Sequence, residues 1–149
     1  MPESGTAVRP SQHHRYVLEE NIGFVLRQVT QRHLAIFSAA MPEQLTPTQF
    51  SAVNKLHECG PCSQNRLGRL TAMDAATIKG VVDRLTRRGI TQTQPAPQDA
   101  RLLVVSLTRA GEDLAERTIA AARRITEETL APLRPDEQAM LLALLQKLR

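Results

Sequence analysis

Apolar side chains recur with helical spacing between residues 15 and 41 of the chain. The positions that follow this period are Leu18, Ile22, Val25, Leu26, Val29, Ile36 and Phe37. The period predicts one helix from about Arg15 to Met41, ended by Pro42, with a length of roughly 40 Å at 1.5 Å per residue. A small domain does not need so long a helix, so the pattern favours contact with a second subunit. Residues 1–14 contain Pro, Gly, Ser and His without any period, and we expect a flexible arm there.

Three further helices are predicted from their start signals. Thr46, Ser63 and Asp74 each stand where a side-chain oxygen can cap a helix, and Gln49 can close a capping box with Thr46. The predicted helices span residues 47–58, 64–70 and 75–88. Gly89 ends the third, and only three residues join it to the second. Two short helices joined in this way predict a helix-turn-helix.

A β-hairpin and two more helices follow. Residues 90–94 and 102–107 have strand character and are separated by turn residues, which predicts a hairpin directly after the helix-turn-helix. Thr108 can cap a long helix, and Pro135 opens a last helix with an apolar seam. The seam consists of Met140, Leu141, Leu144, Leu145 and Leu148.

The predicted order of elements is α-α-α-α-β-β-α-α. It describes a mainly α protein with a small β-hairpin wing, that is, a winged helix-turn-helix whose terminal helices form a dimer. We expect a single domain over residues 15–149. Residues 46–108 would form the winged helix-turn-helix, and residues 15–42 and 109–149 the dimerisation helices.

The net charge of +4 is concentrated in the centre of the chain. Between Ser63 and Arg101 there are seven basic and three acidic residues, whereas the rest of the chain carries twelve of each sign. A basic segment inside a balanced chain is typical of a module that binds a polyanion. The chain has no Trp, one Tyr and three Phe, so it offers few rings on which unpaired bases could stack. Duplex DNA is therefore the expected partner rather than single strands.

Other features of the composition indicate a cytoplasmic protein. No apolar run approaches the roughly 20 residues of a membrane span, and the first residues lack the apolar core of a secretory signal. Two cysteines cannot build the disulfide framework of a small secreted domain, and a reducing compartment keeps them as thiols.

Three blocks of sequence resemble the MarR family, the multiple antibiotic resistance regulators. Asp99-Ala100-Arg101 followed by Leu107-Thr108 and Gly111 is similar to that family's wing signature. The segments 67–70, 74–78 and 82–90 are similar to its helix-turn-helix, and the likeness extends over about residues 15–149. The resemblance implies a two-fold homodimer that binds a pseudo-palindromic duplex operator, most often as a repressor, with no enzymatic activity and no cofactor.

Candidate DNA contacts follow from this placement. On the recognition helix the base-reading candidates are Thr77, Lys79 and Gly80, Arg84 can reach a guanine or a phosphate, and Arg87 and Arg88 extend the basic face. On the preceding helix the phosphate-gripping candidates are Gln64, Asn65, Arg66 and Arg69. Arg101 would enter the minor groove, held by a charge-assisted bond from Asp99. We expect Asp83 to orient Arg84 or Arg87.

Cys59-Gly60-Pro61-Cys62 has the sequence of the thioredoxin active site. That chemistry requires the first thiol at a helix start after a strand, whereas Cys59 follows a predicted helix. We therefore interpret both thiols as packing residues, and leave open a redox response through Cys59 and Cys62. No metal site is predicted, because His57 and Cys59 lie two positions apart and point to different sides of a helix.

The resemblance also implies an effector. In similar regulators a small, often aromatic anion binds between the dimer helices and the winged lobe and weakens operator binding. Arg27 could pair with a carboxylate there, and His33 or His57 could donate a hydrogen bond. A general similarity to regulators of aromatic-acid catabolism favours a nicotinate-type or benzoate-type acid. A nonspecific architectural DNA binder remains the other alternative.

Overall fold

Six α-helices and three short strands make up the part of the chain that the computed structural model describes, residues 15–149. In chain order they are α1 (Ile22–Ala40), α2 (Pro47–Cys59), β1 (Cys62–Ser63), α3 (Gln64–Leu70), α4 (Ala75–Arg87), β2 (Thr91–Pro95), β3 (Leu103–Leu107), α5 (Arg109–Leu130) and α6 (Pro135–Gln146). The arm predicted for residues 1–14 lies outside the described residues. No described helix is both long enough and apolar enough to cross a membrane.

The predicted helix caps are confirmed. The Thr46 hydroxyl accepts from the backbone N–H of Gln49, whose side chain accepts from the Thr46 N–H at 3.1 Å, and this closes the capping box. Ser63 begins α3 by accepting from the Arg66 N–H, and Thr108 begins α5 by accepting from the Gly111 N–H. These contacts span three residues, so they can form without help from the rest of the fold.

The first helix is shorter than predicted. A 3-10 turn, Leu18–Glu20, comes first, and α1 begins at Ile22 with Asn21 as its cap. The Asn21 side chain accepts from the Phe24 N–H at 3.1 Å, which stabilises a helix start at this point. With 19 residues, α1 is about 29 Å long rather than roughly 40 Å.

The wing is a three-stranded antiparallel sheet in the order β1-β3-β2. The hairpin of β2 and β3 was predicted, whereas β1 was not. Cys62 of β1 pairs with Val105 and Ser63 pairs with Val104. A strand of two residues has no period of its own and exists only because β3 lies beside it.

One core joins the helix-turn-helix to the long helix α5. Its largest fully buried side chains include Leu56, Leu67, Ile78, Leu85, Val105 and Leu114. Gly111 lies where α5 meets the start of the sheet, and a Cβ there would overlap the carbonyl oxygen of Ile90. The Thr108 hydroxyl donates to the Gly89 carbonyl at 2.6 Å in the same place. The Leu-Thr-x-x-Gly pattern is thus the means by which the wing joins α5.

Apolar side chains on the terminal helices face solvent in the single chain. Ile22 near the start of α1 is 64 % exposed, and Leu148 after α6 is 73 % exposed. Val25, Leu26, Val29, Met140, Leu144 and Leu145 are exposed as well. These residues belong to the seams that sequence analysis assigned to the dimer.

Candidate DNA interface and effector cleft

Helix α4 has a buried face and a polar face. Ile78, Val81, Val82 and Leu85 are almost fully buried, and they hold the helix against the lobe. Asp74 caps the helix by accepting from the Thr77 N–H at 2.7 Å. The bonds from the backbone and side chain of Thr77 hold the pKa of Asp74 below its ordinary value, so the cap is ionised at neutral pH.

Arg84 lies beside Gly80 on the polar face of α4. A Cβ built on Gly80 would come 3.4 Å from a terminal nitrogen of Arg84, an ordinary van der Waals distance, so the guanidinium lies close along the helix at this position. Lys79 instead pairs with Asp83 at 2.8 Å. The prediction that Asp83 orients Arg84 or Arg87 was wrong for its carboxylate, which pairs with Lys79, one of two cations that lie four residues from Asp83 along the helix. Among the described residues, Arg87 Nε donates to the backbone carbonyl of Asp83, at 3.3 Å, and not to its carboxylate.

The wing residues have the predicted geometry. Asp99 Oδ1 accepts from the backbone N–H of Arg101 at 3.0 Å and from Arg101 Nε at 3.2 Å. The Arg101 side chain is 92 % exposed, so the N–H groups that do not bind Asp99 face solvent. A guanidinium that is oriented by a neighbouring carboxylate and is also exposed can insert into a narrow minor groove.

Helix α3 connects the wing to the recognition helix. Gln64 and Asn65 line a shallow hollow of 220 Å³ together with Arg101 of the wing. Arg66 and Arg69 are exposed on the same short helix. Gly68 allows α3 to pack closely on α4, since a Cβ there would lie 3.2 Å from Ile78 Cγ2. The lobe thus brings the predicted contacts of α3, α4 and the wing together.

Arg88 is the exception among the predicted DNA contacts. Its Nη2 donates to the backbone carbonyl of Glu43 at 2.8 Å, and its Nη1 lies 3.5 Å from Gln49 Oε1. The guanidinium is therefore engaged with the segment between α1 and α2.

One of the three effector candidates lines a cavity. His33 lies at a cavity of 290 Å³ between α1, α2 and α5, and its Nδ1 is 2.9 Å from Thr129 Oγ1. The other lining residues are Phe37, Pro47, Phe50, Ser51, Ala122, Ile125 and Thr126. Arg27 is placed over the ring of Phe24 instead, and His57 pairs with Glu112 at 2.7 Å. Neither lines this cavity, so the three residues do not form the expected group.

A second hollow shares two lining residues with this cavity. Its volume is 370 Å³, and it adds Asn54, Ile119, Arg123 and Glu127 to the shared Ala122 and Thr126. Arg123 was not among the predicted residues, because a surface arginine on a helix has no distinguishing pattern in the sequence. The cavity residues come from three separate segments, and only the fold brings them together.

The two cysteines are free thiols. Cys59 is exposed at the end of α2, and Cys62 is buried on β1. Burial raises the pKa of the Cys62 thiol, although Arg66 nearby acts in the opposite direction. A raised pKa leaves less thiolate at neutral pH, which lowers nucleophilic reactivity. Within residues 15–149, no cluster of three His, Cys, Asp or Glu residues could hold a metal ion.

The fold gathers the basic residues of α3, α4 and the wing in one lobe, here called the basic lobe. Together they define a winged helix-turn-helix DNA-binding protein. The family model described as MarR family matches residues 45–103. The chain is also 41 % identical over 134 residues to the HTH-type transcriptional repressor NicR of Pseudomonas putida, with coverage of 89 % of this chain and 85 % of that protein. The chain therefore belongs to the MarR family. It is a transcriptional regulator and not an enzyme, as the sequence motifs predicted.

Solved structures agree with this assignment. A probable transcriptional regulator from Pseudomonas aeruginosa is 53 % identical and has a TM-score of 0.85, over 89 % of this chain and 100 % of that chain. BpsR of Bordetella bronchiseptica, described as regulated in DNA binding by 6-hydroxynicotinic acid, is 36 % identical with a TM-score of 0.83. That match covers 89 % of this chain and 96 % of BpsR.

Proposed function

We propose that this protein is a repressor that binds a pseudo-palindromic duplex operator as a homodimer and is released by a small aromatic carboxylic acid. The observation that carries the proposal is the cavity between α1, α2 and α5, which combines aromatic walls with polar groups. NicR is named a repressor, and BpsR is described with 6-hydroxynicotinic acid, which supports a nicotinate-type compound before a benzoate-type one. A cytoplasmic location follows from the DNA target.

The winged lobe supplies the DNA-binding surface in this proposal. Thr77, Lys79 and Gly80 near the start of α4 face base edges in the major groove, and Arg84 contacts a guanine or a phosphate. Arg101 enters the adjacent minor groove. Phosphates are contacted from α3 and from the end of α4 by Gln64, Asn65, Arg66, Arg69 and Arg87.

A second copy of the chain would cover the exposed terminal seams. Burial of each apolar side chain is worth about 1.5–3 kcal/mol for a Leu, Ile or Val that leaves water completely. The seams of α1 and α6 contain several such residues, among them Ile22 and Leu144. Two recognition helices held in this way would meet successive major grooves.

The cavity suits one aromatic ring with an acid group. The rings of Phe37 and Phe50 stand edge to face with centroids 6.1 Å apart, and Ile125 adds an aliphatic wall. The hydroxyl of Ser51 donates to the Pro47 carbonyl, so its oxygen remains free to accept a hydrogen bond. A volume of 290 Å³ is just below the range of small-molecule sites, roughly 300–1,000 Å³, and so suits a single ring.

His33 and Arg123 are the groups that would recognise the acid. His33 has one ring nitrogen bound to Thr129, which leaves the other for a ligand. Arg123, in the adjoining hollow, supplies the positive charge for a carboxylate. The ligand would act by favouring a spacing of the lobes that no longer fits the operator. A preference of about 3 kcal/mol for that state would weaken operator binding roughly 150-fold.

The test is a titration of the purified protein against duplex DNA from upstream of its own gene. The titration is repeated with 6-hydroxynicotinate, nicotinate, 4-hydroxybenzoate or benzoate, and with a mild oxidant. Selective binding that one acid releases supports the proposal. Equal affinity for a scrambled duplex indicates a nonspecific binder, and release by the oxidant alone, lost in Cys62→Ser, indicates a redox switch.

A further inference from the structure

Glu43 connects three elements of the fold. It lies in the segment Pro42–Gln44, here called the connector, between α1 and α2. Its carboxylate Oε1 is 2.6 Å from Nη2 of Arg117 on α5. Its backbone carbonyl accepts from Nη2 of Arg88 at the end of α4, at 2.8 Å, and its Oε2 lies 3.7 Å from the same nitrogen. One residue therefore links the recognition helix to the long helix α5.

The connector has an unusual backbone. Glu43 and Gln44 both have a φ of 53°, in the left-handed region that side-chain-bearing residues rarely adopt. The buried side chains of Met41 and Leu45 flank the connector on either side. Such a conformation persists only where its surroundings stabilise it, and it is enriched at functional positions. The bonds to Arg88 and Arg117 are contacts of this kind.

Arg88 is held from a second direction as well. Its Nη1 lies 3.5 Å from Gln49 Oε1, the same atom that accepts from the Thr46 N–H in the capping box of α2. Arg88 is the C-cap residue of α4, and the helix dipole stabilises a cation at this end of a helix. The end of the recognition helix is thus joined to both the connector and the start of α2.

We propose that Glu43 is a positioning residue for operator binding, which fixes α4 relative to α5 through Arg88 and Arg117. Arg88 then acts through Glu43 and not on a DNA phosphate. This inference rests on the proposed function. The expected change in operator affinity has a distinctive sign. Loss of an acidic charge normally strengthens binding to a polyanion, whereas loss of the Glu43 charge should weaken it.

The experiment compares Glu43→Gln, Arg117→Gln, Arg88→Gln and the double variant Glu43→Gln/Arg88→Gln in the full chain. Glu116→Gln is the matched control, since Glu116 is exposed next to Arg117 and forms no ion pair among the described residues. Affinity for the operator duplex is measured by fluorescence anisotropy at several salt concentrations. Thermal unfolding verifies that each variant is folded. Amide hydrogen exchange of residues 84–88, without DNA, reports directly on the end of α4.

We expect Glu43→Gln and Arg117→Gln each to weaken operator binding about two- to fivefold, as loss of an exposed ion pair implies, with Glu116→Gln unchanged. The double variant should bind no more weakly than Arg88→Gln alone, and the salt slope should stay the same. Exchange at residues 84–88 should accelerate in Glu43→Gln.

The inference is overturned if Glu43→Gln binds as tightly as the wild type, or if the effects of Glu43→Gln and Arg88→Gln add. Because the homodimer carries two copies of Arg88, a decrease of about 1.8 in the magnitude of the salt slope of Arg88→Gln, about 0.9 for each phosphate, would show direct phosphate contacts instead. A wild-type chain that does not discriminate the operator would contradict the proposed function. Hydrogen exchange would then still decide whether Glu43 holds the end of α4.

Discussion

Asp99 holds Arg101 through both its backbone N–H and its guanidinium Nε, at 3.0 and 3.2 Å. These bonds restrict the conformations of the arginine side chain but do not bury it, since it remains 92 % exposed. A long side chain that is already ordered loses less entropy when it enters a groove. The wing therefore presents a prepared contact for DNA.

Arg101→Ala should weaken operator binding by about 5- to 150-fold for each half-site, the effect of losing a groove contact of about 1–3 kcal/mol. Asp99→Asn should have a smaller effect, because the arginine remains but is less well held. Affinity is measured by anisotropy, and Lys55→Gln, which removes one positive charge from α2, is the control. An unchanged affinity of Arg101→Ala with an intact dimer would contradict the role of the wing.

Gly80→Ala should stabilise the fold but weaken DNA binding. In a helix interior, alanine is more favourable than glycine by roughly 1 kcal/mol of folding free energy, so the melting temperature should rise. The new Cβ would lie 3.4 Å from a terminal nitrogen of Arg84, an ordinary van der Waals distance, so the arginine keeps its place. The methyl group itself would stand on the polar face of α4 that is proposed to meet base edges. Unfolding and operator titrations of the same variant test both parts. A variant that gains stability and keeps full affinity would show that DNA does not approach α4 closely at Gly80.

Gly111→Ala should destabilise the protein although it too is a helical glycine. Its Cβ would overlap the Ile90 carbonyl, which the backbone can relieve only by moving α5 from the sheet. Overpacking of this kind typically costs about 1–3 kcal/mol. Chemical denaturation compares it with Gly80→Ala. Equal stability changes in the two variants would contradict the close approach of α5 and the wing.

The cap of the recognition helix should make stability depend on acid pH. The pKa of Asp74 is lowered in the folded chain, so its contribution is complete above the ordinary value of 3.8 and is lost as the pH falls through the lower folded value. Asp74→Asn should remove this part of the acid dependence while a neutral cap remains. Thermal unfolding from neutral to strongly acid pH measures the difference. Parallel curves for the two proteins would rule the contribution out.

His33→Ala and Arg123→Gln should reduce the response to the aromatic acid without changing operator affinity in its absence. Both residues lie at the cavity region between α1, α2 and α5, outside the winged lobe. His57→Ala is the control, because His57 pairs with Glu112 and does not line the cavity. A normal response in both cavity variants would place the effector elsewhere.

The elements that sequence predicted best are those with local causes. The caps Thr46, Ser63 and Asp74 and the pair Asp99–Arg101 involve residues at most three positions apart, so their chemistry is visible in the sequence. Strand β1 exists only because β3 lies beside it, and the sequence gives no local sign of it. The tie between Glu43 and Arg117 spans 74 positions, which no local pattern reveals.

The candidate sites divide in the same way. The candidate DNA contacts come from one continuous stretch, residues 64–101, so the sequence indicates them together, and their contact with DNA stays a prediction. The cavity is assembled from three distant segments, so of its lining residues only His33 was among the predicted candidates, and neither Phe50 nor Arg123 of the adjoining hollow was named. The prediction of the cation that pairs with the Asp83 carboxylate was wrong, because Lys79 and Arg87 both lie about one helical turn from Asp83 and the sequence does not distinguish them.

The most direct test of a ligand-released repressor is the affinity of one acid, 6-hydroxynicotinate, for the free protein and for the preformed operator complex. Coupling between two sites is reciprocal, so an acid that weakens operator binding by some factor must itself bind the complex more weakly by the same factor. We predict a clear loss of acid affinity in the complex, matched by release of the duplex as acid is added. Binding of the acid with equal affinity to both forms, and an operator complex that survives saturation, would contradict the account.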